Sequence, residues 1–184
     1  MTLTLSYGGD VSPGAGPTMM NDVLVGRVDR LVTNFCRARW GGRLDKVAIA
    51  GSHLGRGRLV WIAAGALLKL HPREDREGTR RVALPVAVAY ASSLAAARAI
   101  QRGRPCDRGS ALIECPDGPS LPSDQTAGAF AGASAIGQRY PALRTPAYAA
   151  ACVVAGSRVY CGVHHLSDVI AGAVAGELLA RKLA

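Results

Sequence analysis

One stretch limits the fold more than any other: VALPVAVAYASSLAAARAI, residues 82–100, nineteen positions with a single charge, Arg98, close to the end. It has neither the strict alternation of a half-buried strand nor the brevity of a core strand, so it predicts a helix of five turns. Its side chains are mostly alanine. The same bias runs through the whole chain, in which 49% of residues are hydrophobic but only 5% aromatic. Small side chains let helix backbones approach closely, which suits a compact helical bundle in water or in lipid.

Glycine, proline and charge divide the rest into further helical stretches at about 22–38, 45–70, 123–137, 144–157 and 165–183. The first is amphipathic, with Asn21 or Asp22 as its cap. A charged loop is expected at 71–81 and a polar, Pro- and Gly-rich loop at about 103–122. No strand pattern, tandem repeat or low-complexity segment emerges. The expected fold is therefore all-α, a six-helix bundle in a single domain over 21–184. Residues 1–20 lack a basic start followed by an apolar stretch, so they read as a flexible tail rather than a signal peptide.

A membrane span needs about 20 mostly apolar residues. Residues 82–100 come near that, while the other stretches are shorter or interrupted. With a mean hydropathy of +0.15, a soluble domain and a membrane bundle both stay open at this level. The net charge of +9, from 22 Lys+Arg against 13 Asp+Glu, is carried nearly all by arginine, which points to phosphate. No basic repeat with interleaved aromatics is present, so nucleic acid is not an expected partner. The five cysteines show no zinc spacing. Cys106 and Cys115 share a polar loop, and free thiols are expected there in preference to a bridge.

Polar chemistry gathers in SRVYCGVHHLSDV, residues 157–169. His164 and Asp168 are four apart and share a helix face, so the carboxylate can orient one ring nitrogen and leave the other free to attack. Arg158 supplies a planar, permanent charge suited to phosphate oxygens. Taken alone, the pair also fits a histidine packed in a helix turn. His165 adjoins it on another face, and His53 and His71 read as structural or loop residues.

Two more stretches stand upstream: GRP at 103–105, and SLPSDQTAGAFAGA at 120–133 with Pro122 and Ser123 at a helix start. Together with Ser157-Arg158-x5-His164-x3-Asp168, in this order, they resemble the type 2 phosphatidic acid phosphatase superfamily, over roughly residues 25–183. That family's motifs are K-x6-R-P, P-S-G-H and S-R-x5-H-x3-D. The third matches at every fixed position; the first two are degraded.

The resemblance implies a multi-pass helical bundle in the cell membrane, acting on a lipid phosphate with no metal or other cofactor. His164 would take the phosphoryl group as a phosphohistidine, and Asp168 would hold its ring. Arg104 and Arg158 would clamp the phosphate oxygens. Ser123 would add its hydroxyl and backbone N–H to the anion cradle. The Ala, Gly and Arg content suggests a bacterial source.

Two departures bear on function. The motif-one lysine position is Ala97, with Arg98 one residue on as a candidate substitute. The motif-two histidine, which protonates the leaving group, is Gln125, and the preceding glycine is Asp124. Glutamine is no acid, and an alkoxide leaving group has a conjugate acid near water, with a pKa of roughly 16. A diphosphate leaves instead as a phosphate monoester, whose second pKa is about 6. Gln125 therefore favours a lipid diphosphate, such as a polyprenyl diphosphate. Some polyprenyl-diphosphate phosphatases of this family also carry Asp at the position of Asp124. The competing expectations are a phosphatase for phospholipid or prenyl-sugar monophosphates, with Asp124 or water as acid, and a silent member that binds lipid phosphates.

Overall fold

A computed structural model describes residues 27–29, 31–32, 34–35, 42–55, 76–108 and 111–184. The expected tail at 1–20 lies outside them. Among the described residues the chain is all-helical: N-terminal helical residues at 27–29, 31–32 and 34–35 and five further helices, with no strand. These are α1 (Asp45–Gly55), α2 (Arg76–Ile100), α3 (Asp124–Arg139), α4 (Arg144–Tyr160) and α5 (Leu166–Leu183), with short 3-10 turns at Pro105–Arg108 and Pro141–Leu143. The continuation expected for α1 to residue 70 falls outside the described residues.

One boundary differs from expectation. Residues 76–81, read as loop because of their charge, form the first turns of α2. Arg and Glu are good helix formers, so a run of them need not end a helix.

The centre of the bundle is α3, which packs against α2, α4 and α5. Eleven of its sixteen residues are buried, among them Ala127, Ala129, Ala131, Ala133 and Ala135, so it is enclosed on nearly every side. A helix can be surrounded in this way only if its side chains are small. Its partner α5 comes closest through Gly172 and Gly176, one helical turn apart. A Cβ on Gly172 would lie 2.5 Å from the Ser123 carbonyl oxygen, and one on Gly176 would overlap the Ala127 carbonyl.

A substitution pair tests this contact. Gly176→Ala should destabilise the protein by about 1–3 kcal/mol, because the added methyl meets backbone that cannot move aside. Gly156→Ala, where a Cβ would meet nothing within 4 Å, should be neutral or slightly stabilising. Thermal unfolding in detergent reads both; equal effects would contradict the packing.

The outer surface is apolar where water would demand polarity. On α5, Ile170, Val174 and Leu178 recur every four residues and are each more than half exposed, while Gly172, Gly176 and Ala180 face inward. The N-terminal segment does the same: Val28, Leu31 and Phe35 point out and Asp29 is buried. The described part of this N-terminal segment is amphipathic with its large apolar residues outward.

Candidate active site

The helices alternate in direction, so the end of α2, the start of α3, the end of α4 and the start of α5 meet at one end of the bundle. Gln101, in the left-handed region at φ 56°, closes α2 and bonds back to the Ala97 carbonyl. The chain then turns across the bundle end. Residues 102–104 run beside 118–120: the Ser120 N–H donates to the Arg102 carbonyl at 2.8 Å, and the Ser120 hydroxyl to the Gly103 carbonyl at 3.0 Å. A Cys106–Cys115 disulfide closes the loop between them. The bridge replaces the free thiols expected from sequence, since folding brings the two Cα atoms to 5.7 Å.

This frame holds Arg104. Its Nε donates to the Gly118 carbonyl at 2.8 Å, Nη2 to Pro119 at 3.0 Å and Nη1 to Val163 at 3.1 Å. Nη1 also lies 2.8 Å from Nε2 of His164. Three carbonyls from two segments thus aim the guanidinium at the imidazole.

His164, 1% exposed, sits in the turn between α4 and α5, where its backbone N–H and that of Val163 share the Arg158 carbonyl. Its Nδ1 lies 2.9 Å from the Ser120 carbonyl. A carbonyl only accepts and a guanidinium only donates, so the two contacts fix the tautomer. The proton is on Nδ1, and the Nε2 lone pair faces Arg104. Burial pushes the His164 pKa below the ordinary imidazole value; Asp168 opposes this, and the charges of Arg104 and Arg158 reinforce it. The ring is therefore neutral at neutral pH, the form in which an imidazole nitrogen has a lone pair to offer.

Asp168 stands 3.6 Å from Nδ1 through Oδ2. It does not take the direct ring hydrogen bond expected from the four-residue spacing. Its Oδ2 accepts the His165 backbone N–H at 2.9 Å and its Oδ1 accepts Arg102 at 2.6 Å, leaving Ser120 to hold the ring proton. Arg158 is fully buried, with Nη1 on the Ser52 hydroxyl of α1 at 2.5 Å.

Ser123 is buried as the cap of α3, but its groups are already engaged. The N–H donates to the Asp168 carbonyl at 3.0 Å, and the hydroxyl accepts from the Thr126 hydroxyl at 3.0 Å. Its contribution is to lock the start of α3 onto the start of α5. Asp124 and Gln125 form the first turn beyond it. Asp124 Oδ1 accepts the Gln125 backbone N–H at 2.8 Å, and Gln125 Oε1 is buried without a hydrogen-bond partner.

Arg98 is not brought to this cluster. It is exposed on the last turn of α2, while Ala97 at the lysine position faces inward. A one-residue offset is about 100° around a helix, and the end of α2 stays helical, so the side chain points away. The guanidinium that does enter is Arg102. Sequence reading missed it, together with Asp29, Ser52 and the Ser120 carbonyl. Arg102 had a signal, standing two residues before Arg104 in a segment already singled out; a backbone carbonyl has none.

Known proteins agree with this architecture. A model of the PAP2 superfamily matches residues 78–183, more than half of the chain. No curated protein matches. Among solved structures, the chain resembles a transmembrane PAP2-type phosphatidylglycerolphosphate phosphatase from Bacillus subtilis, with a TM-score of 0.73 and 21% identity over 87% of this chain and 84% of that one. It also resembles LpxE from Aquifex aeolicus, with a TM-score of 0.68 and 20% identity over 81% of this chain and 92% of that one. The structural likenesses establish a shared fold, and the family match over α2 to α5 adds descent: the chain belongs to the PAP2 superfamily.

Proposed function

We propose that this protein is an integral-membrane phosphatase that hydrolyses a lipid diphosphate, with a polyprenyl diphosphate the favoured substrate, through a phosphohistidine at His164. The observation that carries it is the neutral, buried imidazole whose Nε2 lone pair meets a guanidinium held by three carbonyls. When a phosphate enters, Arg104 transfers its Nη1 donor from Nε2 to a phosphate oxygen and exposes the lone pair to phosphorus. The new N–P bond forms as the P–O bond to the leaving group breaks. Water then cleaves the N–P bond and releases inorganic phosphate. Arg104 and Arg158 offset the charge on the equatorial oxygens in both steps. Gln125 offers the leaving oxygen a neutral amide N–H, adequate for a phosphate monoester and poor for an alkoxide.

Placement in a bilayer rests on the outward apolar residues and on α2. Its residues Gly78–Ile100 are long and apolar enough to span, and only 22% of that window is buried, unlike the core helix of a soluble protein. Helices α3 to α5, of 16 to 18 residues, reach roughly 24–27 Å, close to the thickness of a hydrocarbon core. Basic residues stand at both ends of the bundle, Arg80, Arg81, Arg139, Arg144, Arg181 and Lys182 away from the site and Arg43, Lys46, Arg98, Arg102, Arg104 and Arg158 near it, so charge alone does not orient it. The site end carries the disulfide, which suits an oxidising exterior. The substrate pool is then the outer leaflet.

Phosphate release by the purified protein in detergent tests the reading, with polyprenyl diphosphate, polyprenyl monophosphate, phosphatidic acid and phosphatidylglycerol phosphate compared side by side. Preference for the diphosphate is expected. Activity confined to the monophosphates overturns the substrate assignment, and binding of phosphate analogues without any turnover overturns the enzyme.

A further inference from the structure

Behind His164 and Asp168 lies a second layer of charge. The Arg102 guanidinium turns inward, where Nη1 donates to Asp168 Oδ1 at 2.6 Å and to Ser167 Oγ at 2.7 Å, and Nη2 donates to Asp29 Oδ2 at 3.0 Å. Asp29 comes from the N-terminal helical segment, far away in sequence, and is 2% exposed. Its Oδ1 accepts the Ser167 backbone N–H at 3.1 Å, and its Oδ2 accepts the Ser167 hydroxyl at 2.8 Å. His165 Nδ1 stands 3.8 Å from the same oxygen. Asp168, Arg102 and Asp29 thus form one carboxylate–guanidinium–carboxylate chain joining three segments. A buried carboxylate that loses its partner is strongly unfavourable, so each member constrains the others.

We propose that Arg102 and Asp29 are positioning residues of the phosphoryl-transfer site: Arg102 holds the Asp168 carboxylate beside His164, and Asp29 sets how much of the Arg102 charge Asp168 receives. The proposal rests on the reading of His164 as nucleophile. Its logic is electrostatic. The Asp168 charge favours the imidazolium form of His164, and Arg102 draws part of that charge away. Removing Arg102 leaves the full negative charge beside the ring, so the ring protonates more readily. Removing the Asp29 charge turns Arg102 wholly towards Asp168, so the ring protonates less readily. The two substitutions act in opposite directions. The other charged groups acting on His164 are Arg104 from the segment after α2 and Arg158 from α4, with His165 next to it in the chain; all of them are unchanged in both variants.

The test compares Arg102→Gln and Asp29→Asn in the full chain, through the acid limb of the kcat/KM profile and, in parallel, NMR titration of the His164 ring. Arg102→Gln should move the limb and the ring titration up by about one pH unit, and Asp29→Asn should move both down by a smaller amount. kcat should fall about tenfold or more for Arg102→Gln as Asp168 loosens. Arg102→Lys keeps the charge without the planar fork, so it should restore the limb but not kcat. The same shifts in a His165→Gln background exclude titration of that neighbour. Shifts of one sign in both variants, or none in either, overturn the proposal in favour of a purely structural role. If no lipid phosphate is turned over, the proposed function fails while the ring titration still decides this point.

Discussion

His164→Ala should lower phosphate release from any lipid phosphate by roughly 10⁴-fold or more, the scale of losing a covalent nucleophile. Among the described residues no other histidine stands in its place: His165 Nδ1 is 3.8 Å from Asp29 Oδ2, and His53 is exposed on α1. The variant should still fold, because Arg104 keeps its three carbonyl partners and the disulfide keeps the loop closed. Rapid quench with substrate labelled in the transferred phosphoryl group should trap an acid-labile phosphoenzyme in the parent protein and none in the variant. His165→Ala is the control. What His165 gives to Asp168 is its backbone N–H, at 2.9 Å, which alanine retains, so its loss should be far milder. Equal losses in the two variants would remove His164 from the role of nucleophile.

The bundle was legible because its elements follow local rules. Helix periodicity and small-residue content located α2 to α5, with ends within a few residues of those observed except at the start of α2, where residues 76–81 read as loop. The third motif was legible for the same reason, since its spacing covers only the end of α4, the turn after it and the start of α5. What stayed hidden depends on contacts between distant segments. Asp29 looks like an ordinary polar position on an amphipathic helix until the apolar face is seen to point outward, which reverses the meaning of a buried acid. Arg98 and Arg102 are equivalent as letters, and only the left-handed turn at Gln101 sends one outward and the other into the site. The ring proton was assigned to Asp168 from spacing, but a carbonyl took it, and any residue type could have supplied that carbonyl. The Gly172 and Gly176 pair was readable as a small-residue helix face, though not which backbone it would touch.

Gln125→His should change substrate preference more than any other single substitution. In the proposed reaction the leaving oxygen would meet here a side chain with a hydrogen to share but no proton to give. A general acid is worth about 10²–10⁴-fold when the leaving group is a poor one. An alkoxide, with a conjugate-acid pKa of roughly 16, should collect much of that gain. A phosphate monoester, which leaves with a pKa of about 6, should collect little. The ratio of monophosphate to diphosphate kcat/KM should therefore rise by tenfold or more. Gln125 Oε1 has no hydrogen-bond partner to lose, so the exchange should disturb the start of α3 little. The gain also carries its own pH signature: it needs the protonated imidazole, so it should grow as the pH falls. Kinetics on both substrates at pH 6 and pH 8 measure this directly. A ratio that stays fixed, or a larger gain on the diphosphate, would mean that leaving-group protonation is not what the glutamine gave up, and the preference for a diphosphate would lose its basis.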